Sequence, residues 1–281
     1  MKKVIISTDS PADISKELAA KYNVAVIPLH VILNGEDRLD GVNVTPEEII
    51  ENYKATKALP STSAIPVGEY EEHFAALTKD GAAVVHIALS SGVSSSCRNA
   101  GIAAADFEDV YVVDSLHLTT GILMLVIKAV KMAESGMEAA EIAAEIEAMR
   151  NKVDTNFLLD NLEFLSKGGR CSAVTALGAN ILGIRPYLEM KDGSLSVCKK
   201  YRGKIDKVQL QYIAEKLDNL GEYDDEIAFM THSPMDADQA AALTKAVKDS
   251  GKFKEVYEMD AGCTIVSHCG PNCVALITLK K

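Results

Sequence analysis

The sequence predicts an α/β protein of two domains, and three observations carry that prediction. Short β-rich runs alternate with helical patterns through the first half, the mark of parallel βαβ units. The second half holds Asp192-Gly193 between two extended runs, a hairpin signal that brings antiparallel pairing. The chain has 281 residues, near the upper limit for one compact core at ~150 residues per domain. The expected division is an N-terminal parallel-sheet domain over 1–154 and a C-terminal domain with a mixed or antiparallel sheet over 155–281.

Along the chain, Lys3 to Ser7 reads as a buried strand and Ala12 to Tyr22 as the helix after the Ser10-Pro11 turn. Val24 to Leu33 is a second extended run. Thr45-Pro46-Glu47-Glu48 carries a helix N-cap, Pro in the first position and acids in the first turn. After Pro66, Tyr70, Phe74 and Leu77 fall at helical spacing. Ala82 to Leu89 is nearly all apolar, as a central parallel strand requires, and Tyr111 to Val113 is another strand. Helices follow over Gly121 to Ser135 and Met137 to Lys152, the second with Ile142, Ile146, Met149 and Val153 on one face. A helix from Ser172 to Leu182 stops at Gly183. Tyr187 to Met190 and Leu195 to Lys199 form the hairpin. Helices at Lys204 to Leu220 and Asp236 to Ser250 then alternate with strands at Ile227 to Thr231 and Glu255 to Met259.

Composition narrows the function. Apolar residues make up 48% and charged residues 25%, a globular balance that argues against disorder. The net charge is −11 with no basic block, which disfavours nucleic acid as a partner. No apolar run reaches the ~18 residues of a membrane span, the richest being broken by Lys128. Asp9 interrupts the apolar run at the start, so no signal peptide is expected. Six cysteines without a C-x-x-C pair fit reduced thiols in a cytoplasmic protein.

The most informative local feature is Leu89 to Ser96, with five hydroxyls and one glycine where a strand ends and a helix begins. Ligands of open parallel sheets bind at that edge, where a helix N-terminus favours an anion. Ser91, Gly92, Ser94 and Ser95 are therefore candidates for a carboxylate or phosphate site, with plain N-capping by Ser94 or Ser95 as the alternative. Ser61-Thr62-Ser63 is a second hydroxyl cluster, for which a helix cap is the commoner role. Asp9-Ser10 and Asp114-Ser115 add polar groups to the same edge. Lys167-Gly168-Gly169-Arg170 and Arg202, in the one locally basic stretch, could contact an anion or an acidic partner. His268 precedes Gly270-Pro271 and is read as a hydrogen-bond donor to a ligand; zinc would want a further ligand pair that is not nearby. His232 is the other histidine at a strand end.

There is no G-x-S-x-G elbow, no G-x-x-x-x-G-K-[ST] loop and no G-x-G-x-x-G. A polar cradle without nucleophile or nucleotide motif points to binding rather than turnover. Two rival readings remain: a serine esterase or acyltransferase using Ser94 and His268, and a histidine phosphocarrier through His232 or His268. The first needs serine and histidine in hydrogen-bond reach and a third orienting residue.

Taken together in order, Ser7-Thr8-Asp9-Ser10, Thr62-Ser63, Val67-Gly68-Glu69-Tyr70, Leu89 to Ser94, Val113-Asp114-Ser115 and Leu162 to Arg170 resemble the motifs of DegV-like proteins. Ile184-Arg185-Pro186, Asp192-Gly193, Arg202-Gly203 and His268-Cys269-Gly270-Pro271 continue the resemblance to the end of the chain. It implies a two-domain DegV-like protein that binds one long-chain fatty acid in a buried tunnel between the domains. In the FakB group of that family, the carboxylate is presented to a separate fatty acid kinase, which brings the ATP and metal and makes acyl phosphate. By matching motif, Thr62 and Ser94 would bind the carboxylate and His268 would support it. Ser63, Ser91, Gly92 and Ser95 would complete the anion site, and Arg202 and Arg170 would serve the partner or phosphoryl contact. No catalytic residue, metal or cofactor of its own is implied.

The sequence departs from the family pattern at Ala64-Ile65-Pro66, at Ser95-Ser96-Cys97, and at Cys269 and Asn272, where the family usually reads Thr and Gly. Physical chemistry agrees with the resemblance. Burying fourteen methylenes is worth roughly 11 kcal/mol, before binding costs, at ~0.8 kcal/mol per CH₂. A carboxylate in a dry site needs two or three donors. The helices at Ala173 to Ile184 and Gly121 to Val130 are the candidate walls for the tail.

Overall fold

The computed structural model describes residues 2–169 and 183–281. Strand β1 (Val4–Asp9) leads into a 3₁₀ turn at Ser10–Ala12, then α1 (Lys16–Tyr22) and β2 (Ala25–Ile27). The helix expected from Ala12 starts four residues later because Asp13 takes a left-handed conformation (φ 52°) and Ser15 supplies the cap, accepting from the Leu18 N–H at 3.1 Å. The extended run expected over Val24 to Leu33 is likewise divided. Pro28 has no N–H to give to a ladder, and the Leu29 N–H donates to Ser10 Oγ at 3.0 Å. The chain therefore leaves β2 and enters a different sheet at β3 (His30–Leu33), which turns through Asn34-Gly35 into β4 (Glu36–Leu39).

Helix α2 (Pro46–Thr56) opens with the expected cap, closed reciprocally: Glu48 N–H to Thr45 Oγ1 and Thr45 N–H to the Glu48 carboxylate. The polar strand β5 (Ser61–Ser63) pairs antiparallel with β3, completing a three-stranded sheet β4-β3-β5. Helix α3 (Val67–Thr78) buries Tyr70 and Phe74, and β6 (Ala83–Ala88) is buried along its whole length. After α4 (Ser96–Ala104) and β7 (Val110–Asp114), the four-stranded parallel sheet is complete in the order β2-β1-β6-β7.

Helix α5 (Thr120–Glu134) is apolar around nearly its whole circumference, as a helix enclosed on all sides must be. It packs against β1 and β6 of the parallel sheet and against strands β8 (Val153–Asp154) and β14 (Val274–Leu279) of the second half. Its half-buried charge, Lys128, reaches Asp224 and Glu226 at 2.7 and 3.0 Å. A single core thus runs from Ile6 and Val85 through Ile122 and Val126 to Phe229 and Ile277. Helix α6 (Ala139–Met149) closes the outer face.

The second large sheet has the order β11-β10-β9-β14-β12-β13, with β8 pairing β14. Its strands are β9 (Asn156–Leu158), β10 (Ile184–Lys191), β11 (Ser194–Arg202), β12 (Ile227–His232), β13 (Glu255–Asp260) and β14. Among the described residues, only β12 and β13 run parallel in this sheet. Between them lie α7 (Glu163–Gly168), α8 (Ile205–Asp218), α9 (Ala237–Asp249) and α10 (Cys263–Cys269). The hairpin predicted at Asp192-Gly193 is present, both residues having positive φ (49° and 76°) as a type I′ turn needs. The helix expected over Ser172 to Leu182 lies outside the described residues.

Candidate ligand-binding site

A cavity of about 490 Å³ opens between the two large sheets, within the size range of small-molecule sites. Leu29, Leu89, Leu118, Phe157, Leu195 and Ile265 supply much of its apolar wall. Thr62, Ser63, Ser91, Gly92, Ser94, Ser95 and His268 all line it as well. Residues from three separate stretches, chosen from sequence for anion binding, therefore meet on one surface. The tail wall differs from expectation. Residues Gly121 to Val130 do not line the cavity, because α5 spends its apolar surface on the core between the sheets. Most of the Ala173 to Ile184 segment lies outside the described residues.

Thr62 faces the cavity from β5, where it is held in register with Val31. Its Oγ1 shares a 2.8 Å hydrogen bond with His268 Nε2. Ser61-Thr62-Ser63 is thus an edge strand rather than a helix cap; α3 has Pro66 at its N-cap and no side-chain cap. His268 sits in the last turn of α10, with its ring against the backbone of α7. A Cβ on Gly168 would collide with His268 Nδ1.

Two buried carboxylates that sequence reasoning missed position α10. Asp40 accepts from Cys263 N–H (2.8 Å), Thr264 N–H (3.2 Å) and Thr264 Oγ1 (2.7 Å), and also from Ser10 Oγ. Asp13 accepts from Gly262 N–H (2.9 Å) and Thr119 Oγ1 (2.6 Å). Burial pushes the Asp13 carboxyl well above its usual range, despite the Thr119 hydrogen bond. These acids satisfy the orphan N–H groups at the start of α10 and tie it to the first half of the chain. No local pattern signals a partnership between positions more than two hundred residues apart.

The hydroxyl turn after β6 is fixed from beneath. Asp9, fully buried, accepts from Tyr70 Oη (2.6 Å) and from the Leu89 N–H (2.7 Å), and contacts His86 Nε2 (3.1 Å). His86 Nδ1 and His73 Nε2 both bond Ser7 Oγ, at 3.0 and 2.8 Å. Burial, helped by neighbouring His86, pushes the His73 ring down to about 4. The side chains of Ser7, Asp9, Tyr70, His73 and His86 do not line the cavity, so their role is to hold the end of β6.

Most backbone donors of the turn are already engaged. Ser91 N–H donates to Asp114, Gly92 N–H to Ser90 Oγ, and Val93 and Ser94 N–H to the Ser90 carbonyl. Any ligand contact from Ser91 must therefore come from its hydroxyl. Ser94 Oγ accepts from the Ser96 N–H at 3.1 Å and lies 2.9 Å from Ser96 Oγ. It bonds Ser96 and not His268, so the couple required by the esterase reading is not formed. Gly92 has a packing role: Ser90 Oγ donates to the Gly193 carbonyl (2.7 Å), and a Cβ on Gly92 would overlap that same oxygen. The β10–β11 hairpin thus leans over the hydroxyl turn and brings Leu195 to the cavity wall.

Of the remaining predicted residues, Arg202 is exposed at the end of β11, away from the cavity. Arg170 lies outside the described residues. His232 lines the cavity, 3.6 Å from Glu258 and 3.8 Å from Asp260. Among the described residues, no three His, Cys, Asp or Glu side chains gather as metal ligands, and no helix is long and apolar enough to cross a membrane.

Comparison with known proteins gives this arrangement a lineage. A family model described as "Uncharacterised protein, DegV family" matches residues 3–281. The chain belongs to the DegV family. A DegV domain-containing protein of Clostridium acetobutylicum is 30% identical over the full length of both chains. The solved structure of a fatty-acid-binding DegV family protein from Thermus thermophilus superposes with a TM-score of 0.89 at 27% identity, covering 99% of this chain and 100% of that one. A stearic acid-binding protein from Eubacterium ventriosum gives 0.86 at 26% identity, covering 100% and 99%. The DegV fold, a parallel four-stranded sheet joined to a mixed seven-stranded one, is therefore shared along the whole chain.

Proposed function

We propose that this DegV family chain is a cytoplasmic carrier that binds one long-chain fatty acid in the cavity between its large sheets. The carboxylate is held by Thr62 and Ser94, from the domain over 1–154, and by His268, from the domain over 155–281. It is then presented to a separate ATP-dependent kinase for acyl-phosphate formation. One observation carries the reading above the others: the hydrogen-bonded Thr62–His268 pair and Ser94 open onto a cavity whose wall also carries Leu29, Leu89, Leu118, Phe157, Leu195 and Ile265. Fatty-acid binding by the Thermus and Eubacterium relatives supports it.

The tail supplies affinity, through apolar surface removed from water. The head group supplies orientation, because a carboxylate in a dry site is retained only where donors meet it. Two hydroxyls and an imidazole are enough donors for one carboxylate. The chain contributes no nucleophile and no metal to this scheme; ATP and metal belong to the kinase. Arg202, exposed outside the cavity, is the contact for that partner or for the phosphoryl group.

Titration calorimetry with hexadecanoate tests the binding step. One site per chain is expected, with weaker binding after Thr62→Val and Ser94→Ala. Binding unchanged in both variants would remove the carboxylate site from the account.

A further inference from the structure

Two cavity-lining side chains have no part in this scheme. Cys269 is the last residue of α10, directly after His268, and Cys273 precedes β14. They flank a tight turn in which Gly270 and Asn272 both take positive φ. Both line the cavity, and each keeps a little exposure there, 8% and 7%. The two thiols stand four positions apart across this turn on one cavity wall, and neighbouring Cys269, together with burial, holds the Cys273 thiol well above its usual range. Cys269 Sγ donates to the Gly270 carbonyl and Cys263 Sγ to the Val44 carbonyl, but Cys263 has no exposure and is not on the cavity wall.

We propose that Cys269 and Cys273 are a peroxide-oxidisable pair in the cavity wall, closing to a disulfide when the cavity is empty. Hydrogen peroxide is small enough to use the cavity as its route. The Cys269 sulfur attacks one peroxide oxygen, the O–O bond breaks, and sulfenic acid and one water form. The Cys273 sulfur then displaces that hydroxyl, the S–S bond forms, and a second water leaves. Two thiols have lost two electrons and two protons, and one peroxide has been reduced to two waters. Both attacks go through a thiolate, so the raised Cys273 thiol makes the second step the slower one. Control by the cavity's contents rests on the fatty-acid reading: a bound acyl chain covers both sulfurs.

The test follows the tryptic peptide Glu255–Lys280, which carries Cys263, Cys269 and Cys273. A Cys263→Ser protein, which keeps the donor to Val44, leaves only the pair on that peptide; fragment spectra of the unmutated chain give the same assignment. After peroxide treatment of the empty protein, the peptide is expected to lose two hydrogens and refuse alkylation. With Cys273→Ser, dimedone should label Cys269 as the sulfenic acid. Full alkylation of both thiols once the exposed Cys198 is oxidised would overturn the proposal.

In protein carrying one hexadecanoate per chain by native mass, oxidation should slow about ten-fold, since exchange depends on access. Equal rates in empty and loaded protein would overturn the cavity route. A protein that takes up no hexadecanoate would refute the fatty-acid reading alone, and the empty arm would still decide the pair.

Discussion

Thr62 and His268 stand 206 positions apart in the chain, yet their side chains share a 2.8 Å hydrogen bond on the cavity wall. The bond joins an edge strand of the small three-stranded sheet to the last turn of α10. It brings a hydroxyl and an imidazole together where a carboxylate would need both. Thr62→Val keeps the shape and removes the hydroxyl. A hydrogen bond to a charged group is worth ~1.5–3 kcal/mol, so hexadecanoate should bind tens of times more weakly by calorimetry while the unfolding midpoint changes little.

Gly92 makes a different prediction. An added Cβ would overlap the Gly193 carbonyl, a backbone atom that cannot swing aside. Gly92→Ala should cost about 1–3 kcal/mol, the usual range for overpacking, in urea unfolding. Because the displaced hairpin carries Leu195 to the cavity, ligand affinity should fall with it. The same change at Gly101, which has open space around it, serves as the control for helix propensity.

The His73 ring gives a pH signature. Its folded value of about 4 lies below the ordinary 6.5 because burial opposes the charge. The unfolded chain therefore binds more protons between those values, and stability falls as pH drops from about 6.5 toward 4. The loss attributable to this one group reaches about 3 kcal/mol. His73→Gln should flatten that part of the stability profile, measured by denaturant unfolding at pH 7.5, 6, 5 and 4.5 (sampled about the two values). An unchanged slope would show that other groups set it.

Arg202→Ala separates binding from partner use. Fatty-acid binding should be retained, because the residue lies off the cavity wall. Acyl-phosphate formation in the reconstituted kinase system should drop, by about ten-fold or more if a charge-assisted contact is lost. Equal loss of both would remove the division of labour.

How much of this was legible in the sequence depends on how local each feature is. The parallel strands are legible because β6 is buried on both faces and reads as one apolar run. The hairpin is legible because Asp192-Gly193 alone satisfies its turn. Thr62 was legible only as a hydroxyl in a motif. Three polar residues carry no strand periodicity, and pairing with β3 makes them a strand. Asp13 and Asp40 were not legible at all, since their donors lie on α10 at the far end of the chain. Strand β14 is an apolar run like β6; what no local pattern shows is its antiparallel place between β9 and β12.

Native mass spectrometry of the purified protein, repeated after solvent extraction, tests the central claim most directly. The account predicts one long-chain fatty acid per chain, released by the solvent and replaced on adding hexadecanoate. A protein that carries no lipid and takes up neither hexadecanoate nor octadecanoate would contradict it.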